Sequence, residues 1–157
     1  MANEIKDKFG TSSALSITLA SLANSSGRQS TLVDNSSVRY QDVLVFVNVK
    51  NSSSAAPNSY STVEVYLIRS DNDATTEHRD DGAGTSDAAL TPLNAQLIGA
   101  LRNKGSPSAG DVLKGSFIVH RPGPEWGIAI FNRTGQSLDS TGSNHWVRYV
   151  GVNTEVQ

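Results

Sequence analysis

The sequence predicts an all-β fold: a single-domain antiparallel β-sandwich of jelly-roll type. Three observations carry this reading. Apolar residues recur with period two far more often than with the 3.6-residue period of a helix. The alternating runs are rich in β-branched residues, which suit a half-buried pleated surface. Between them stand clusters of turn-forming residues, ANSSGRQ, NSSSAAPNS, DDGAGTSD, NKGSPSAGD and RPGP. A chain of 157 residues can bury one sizeable core but not two, and many short strands separated by turns fit a double-sheet architecture.

The elements follow in order. Residues 1–13 mix charges of both signs with serines and have little apolar pattern beyond Ile5 and Phe9. They are expected to form an N-terminal arm ahead of a sandwich domain at 14–157, with Ile5 and Phe9 as candidate assembly contacts on a partner. Leu15, Ile17 and Leu19 alternate with Ser16 and Thr18 in a first strand pattern. Val43, Val45, Val47 and Val49 share one face of the next, with Leu44 and Phe46 behind them. Val63, Val65 and Leu67 repeat the pattern against Glu64 and Tyr66. In Asp87–Leu101, Pro92 interrupts any helix, so a short helical turn before a strand at Gln96–Leu101 is expected.

Near the end, Trp126, Ile128 and Ile130 alternate again. Residues 125–132 and 144–153 read as two strands of a closing hairpin joined by RTGQSLDSTGS, a loop longer than the two to five residues usual in hairpins. Trp126 and Trp146 are expected to anchor the core edge of this hairpin, with Trp146, Val150 and Val152 on one face. The alternative is a glycan platform of Trp126, Trp146 and Tyr149, on which a sugar's apolar face would stack.

Composition excludes several kinds of chemistry. Cysteine is absent, which removes disulfides, thiolate metal sites and thiol nucleophiles. The net charge is −2 and the 13 Lys and Arg are scattered, so nucleic acid is not an expected partner. No apolar run reaches the roughly 20 residues of a membrane-spanning helix, and MANEIKDKFG has no apolar signal region. The sequence therefore predicts a soluble chain made in a cytoplasm, with no membrane partner, and N-x-[ST] triplets at Asn24, Asn35, Asn51 and Asn132 that stay unused. No G-x-S-x-G elbow accompanies His78, His120 or His145, and neither dinucleotide-binding nor P-loop glycine patterns occur. No catalytic residue and no cofactor is expected. The acidic stretch DNDATTEHRDDG (71–82) begins like a calcium loop, but Thr76 stands where a glycine is needed and Gly82 where a bidentate glutamate is needed. It reads as a solvated loop, with no metal expected.

Several stretches, SITLASLANSSGRQSTLVDN, YQDVLVFVNVK, VEVYLIRSD and WGIAIFNRTGQSLDSTGSNHWVRYVGV, resemble small virion structural proteins of tailed bacteriophages. The resemblance runs from about Ile5 to Val152 and rests on the order and spacing of these stretches. It implies a β-sandwich accessory component of the head, head–tail junction or tail, and it carries no catalytic residue. On this reading the chain is a non-enzymatic virion component, a capsid decoration or accessory protein assembled in the host bacterial cytoplasm. Its partners are other virion proteins and copies of itself. The alternative is a receptor- or glycan-binding module of a tail fibre or tip.

Overall fold

A computed structural model of the protein describes residues 5–73, 78–81 and 84–156. They form eleven strands: β1 (Ile5–Phe9), β2 (Ser13–Leu15), β3 (Ser26–Gln29), β4 (Val33–Asp34), β5 (Asp42–Lys50), β6 (Thr62–Ser70), β7 (Ala88–Ala89), β8 (Gln96–Arg102), β9 (Val112–His120), β10 (Glu125–Arg133) and β11 (Trp146–Val156). The single helical element among the described residues is one 3-10 turn, Gly142–Asn144.

The pairing is nested. β2 pairs with β11, β3 with β10, β5 with β9 and β6 with β8, all antiparallel, so the chain folds as one long double-stranded ribbon. The ribbon rolls up because β11 also pairs with β5, and β10 with β6. The result is two antiparallel sheets, one ordered β1–β11–β5–β9 with β2 beside β11, the other ordered β7–β3–β10–β6–β8 with β4 beside β10. This is the β-sandwich of jelly-roll type that the sequence predicts.

The core lies between the sheets. Val43, Val45, Val47 and Val49 of β5 face Val63, Val65 and Leu67 of β6 and Trp126, Ile128 and Ile130 of β10, all at most 1% exposed. Each such side chain contributes about 1.5–3 kcal/mol by leaving water, which makes these alternating runs the main determinants of the fold. The parity assigned to all three runs from the sequence is the parity observed.

Three expectations need correction. Residues 125–132 and 144–153 are not a hairpin: β10 and β11 belong to opposite sheets, and the long connection between them crosses the end of the sandwich. No helical turn precedes β8. Residues 93–95 form a bend, in which the carboxylate of Asp81 accepts the backbone N–H groups of Asn94 and Ala95 at 2.9 and 2.7 Å, so a side chain replaces the helical hydrogen bonds. The segment expected as an arm (1–13) is, from Ile5 on, part of the sandwich. Ile5–Phe9 pairs with Val152–Val156, and the boundary placed after Ser13 falls inside β2. Residues 1–4 lie outside the described residues.

Candidate assembly face

The two sheets treat their outer faces differently. The outer face of the β7–β3–β10–β6–β8 sheet is roofed over β3 and β10 by the chain itself, while at β8 Leu97 and Ala100 stay exposed. Leu90 packs with Ile68 and Ala129 beneath the segment that includes β7, with Leu32, Tyr66 and Ala95 around them. Buried Gln29 fixes this roof, its Nε2 donating to the carbonyls of Gly84 and Ser86 at 2.6 and 2.9 Å. Arg28 pairs with Asp87 alongside. As a consequence β10 is buried on both faces from Glu125 to Asn132.

The other outer face has no roof. Register places Leu44 and Phe46 of β5 beside Ile118 and Ser116 of β9, and beside Val150 and Arg148 of β11. Phe9 of β1 sits opposite Val152. Directly opposed residues share a face, and the neighbours of Leu44 and Phe46 in β5 are core valines. This whole set therefore points away from the core. Ile118 is 52% exposed, Phe9 61% and Trp146 39%. Leu44, Phe46, Val150 and Val152 are half-buried, shaded by one another.

Sequence carried a sign of this face. DVLVFV is apolar at both parities, which is the pattern of a strand covered on both sides. In β10 the same pattern is satisfied by the chain's own roof, whereas in β5 the second cover is missing. Cationic groups on this face include Arg148, whose guanidinium lies 5.8 Å from the Trp146 ring, and Lys114. Neither has an ion-pair partner among the described residues. Asp42, on the same face, is held by His120 Nδ1 at 3.0 Å.

The residues proposed from sequence are distributed as follows. Ile5 and Phe9 are exposed on the edge strand, at 73% and 61%. Trp126 is fully buried on the inner face of its sheet, while Trp146 points outward from the other, so the core placement is correct for the first and wrong for the second. Tyr149 is half-buried and meets the Trp126 ring edge-on. The three aromatic rings therefore form no common platform: one is inside, one spans the interior and one is outside.

The polar residues hold structure. His145 is buried, its Nδ1 accepting the Lys50 N–H at 3.3 Å and its Nε2 bonded to the Asp139 carbonyl at 2.9 Å. His78 and His120 are exposed and pair with Asp71 and Asp42. In the acidic stretch, Asp71 Oδ1 accepts the N–H groups of Asp73 and His78, and Asp80 Oδ2 accepts that of Arg69. These bonds hold the Asp71 carboxyl below the usual aspartate range, the backbone N–H of Asp73 contributing most. Thr76, Glu77 and Gly82 lie outside the described residues. No cluster of three metal-ligating side chains occurs among the described residues, and no described helix is long and apolar enough to cross a membrane.

No family model matches the chain, and no curated protein matches it. Among solved structures, chains of infectious bursal disease virus strains Gt and Gx align with 99% and 98% of this chain at 16% and 14% identity, each with a TM-score of 0.12. This chain spans about two fifths of their length, and a likeness at that level carries no argument.

Proposed function

We propose that this protein is a non-enzymatic structural component of a tailed-bacteriophage particle, a capsid decoration or accessory protein that acts through protein–protein contact. One observation carries the reading: the outer face of the β1–β11–β5–β9 sheet is apolar and uncovered, while the opposite outer face is roofed over β3 and β10 by the chain itself. Contiguous exposed apolar surface marks interaction sites in soluble proteins. Four strands of five to eleven residues span roughly 20 by 30 Å, the scale of one side of a standard interface, about 800 Å². The jelly-roll topology and the resemblance of the strand sequences to virion proteins support the same reading.

The occupant is a neighbouring structural protein of the particle that offers an apolar surface and a carboxylate for Arg148. Burying an unpaired guanidinium is costly, so a docked partner has to supply the counter-charge. A second copy suits the edge less well. Antiparallel pairing of two β1 strands about Asp7 sets Asp7 against Asp7 and Lys6 against Lys8, and like charges directly opposite destabilise a sheet.

The test uses particles of the source phage, prepared with the wild-type protein or with Leu44→Lys/Ile118→Lys. The wild type is expected to sediment with particles and the double variant to stay in the soluble fraction. Equal incorporation of both, absence of both from particles, or a stable dimer lost in the variant would each overturn the proposed occupant.

The exposure of Trp146 beside the polar turn Gly142–Asn144 favours a second reading, glycan binding at that corner. Trp126 is buried, so a saturable change in the more solvent-exposed part of the tryptophan emission on adding host surface glycan reports on Trp146. A flat titration rejects this reading.

A further inference from the structure

At the end of the sandwich where β10 begins, the turn 35–41 and the connection 121–124 face each other across an open cleft of about 850 Å³. Its walls are tied together by Asn35, which is 7% exposed. The Asn35 side chain donates to the carbonyls of Tyr40 (3.2 Å) and Gly123 (3.0 Å) and accepts the Tyr40 N–H at 2.8 Å. Its backbone N–H donates to the Pro124 carbonyl at 2.7 Å, and the Arg121 N–H donates to the Gln41 carbonyl at 2.8 Å. The cleft is thus fixed before anything enters it.

One arginine stands on each wall. Arg39 and Arg121 are both exposed, and both hold left-handed backbone, with φ of 51° and 48°. Glycine or asparagine takes such positions with less strain, so arginine gains nothing there from the backbone. Neither guanidinium is ion-paired among the described residues. Arg39 Nε donates to the Ser36 carbonyl at 3.2 Å, and Asp42, the one carboxylate lining the cleft, is engaged by His120 at 3.0 Å. The cleft therefore has uncompensated positive charge on fork-shaped donors, the geometry that receives oxyanions.

We propose that this cleft binds a single oxyanionic group, a carboxylate, sulfate or phosphate, between Arg39 and Arg121. The site adjoins the apolar sheet face at Asp42 and His120 but does not depend on the assembly reading. The group can come from a free inorganic anion or from an acidic sugar, and the two sources share the same recognition chemistry.

The experiment is an NMR titration of the full chain at constant ionic strength with inorganic phosphate, sulfate and glucuronate in separate arms. Saturable shifts confined to residues 35–41 and 120–124 are expected. A response to glucuronate alone identifies the sugar acid, and a response to all three identifies the anion as such. Arg39→Gln and Arg121→Gln should each weaken binding about tenfold or more, whereas Arg102→Gln, far from the cleft, should not. Arg39→Gly should lose binding while keeping or raising the melting temperature, because glycine relaxes the left-handed position. No saturable shift in any arm, shifts spread over the surface, or undiminished binding in the arginine variants would overturn the proposal.

Discussion

The indole of Trp126 and the ring of Tyr149 meet edge-on across the two sheets, with centroids 5.1 Å apart and planes at 86°. Tyr40 continues the stack at 6.3 Å from Tyr149, and its ring covers Gly151, where an added Cβ would come within 2.2 Å of it. Three aromatic residues distant in sequence thus close one end of the core. Trp126 is fully buried, and its Nε1 has no hydrogen-bond partner among the described residues. Trp126→Ala should cost about 3–5 kcal/mol. Trp126→Phe should cost clearly less than Trp126→Ala, since a ring still meets Tyr149 and an unsatisfied donor is removed, although the smaller ring leaves part of the indole volume empty. Urea denaturation of both variants measures this, and equal losses would contradict the aromatic-plug reading.

Removing Met1–Gly10 should leave the fold intact. β1 pairs with β11 alone, and its described side chains are exposed. Beyond Val152 the β1–β11 ribbon extends past the start of β5, and an isolated two-stranded ribbon adds little stability. The melting temperature should fall by no more than about 2–4 °C, the equivalent of roughly 1 kcal/mol, while particle binding weakens. Unfolding of the truncated chain, or undiminished binding, would contradict this.

Calcium and chelators should leave the melting curve unchanged. The oxygens of Asp71, Asp80 and Asp81 already accept backbone N–H groups within the loop and from Asn94 and Ala95, so a cation would have to displace bonds that fix the loop. A rise of several degrees in millimolar calcium, reversed by EDTA, would contradict this assignment.

Stability should fall in acid partly through Asp139. The Ser53 hydroxyl, the Asn144 amide and the Thr141 N–H, with Lys50 alongside, hold its carboxyl far below the usual aspartate range. The native form thus resists protonation more than the unfolded chain, whose aspartates titrate near about 3.9. The stabilisation is complete above that pH and is lost as pH falls below it. Asp139→Asn should lower the melting temperature at pH 7 and flatten its decline below about pH 4. An unchanged slope would show that Asp139 is not a principal acid-sensitive group.

The fold was legible because period-two alternation in 43–49, 63–67 and 126–130 reports the inner faces directly. The partner of each strand was not, because pairing depends on which connections cross between sheets. The only trace of the crossing from β10 to β11 was a loop too long for a tight hairpin. Trp146 was misplaced because WVRYVGV is apolar at both parities. In the structure Val147, Tyr149 and Gly151 share the inner face, Gly151 leaving room for the Tyr40 ring, and Trp146 faces outward. The cleft was invisible, since Arg39 and Arg121 are far apart in the chain and belong to no motif.

Docking through the uncovered face of the β1–β11–β5–β9 sheet can be tested directly in assembling particles. A photo-crosslinking amino acid at position 118, on that face, and separately at position 100, on the outer side of the other sheet, tests it within assembling particles. Docking on this face should give a crosslink from position 118 to one structural protein of the particle and none from position 100. Crosslinking from position 100 alone, or equal crosslinking from both, would contradict it.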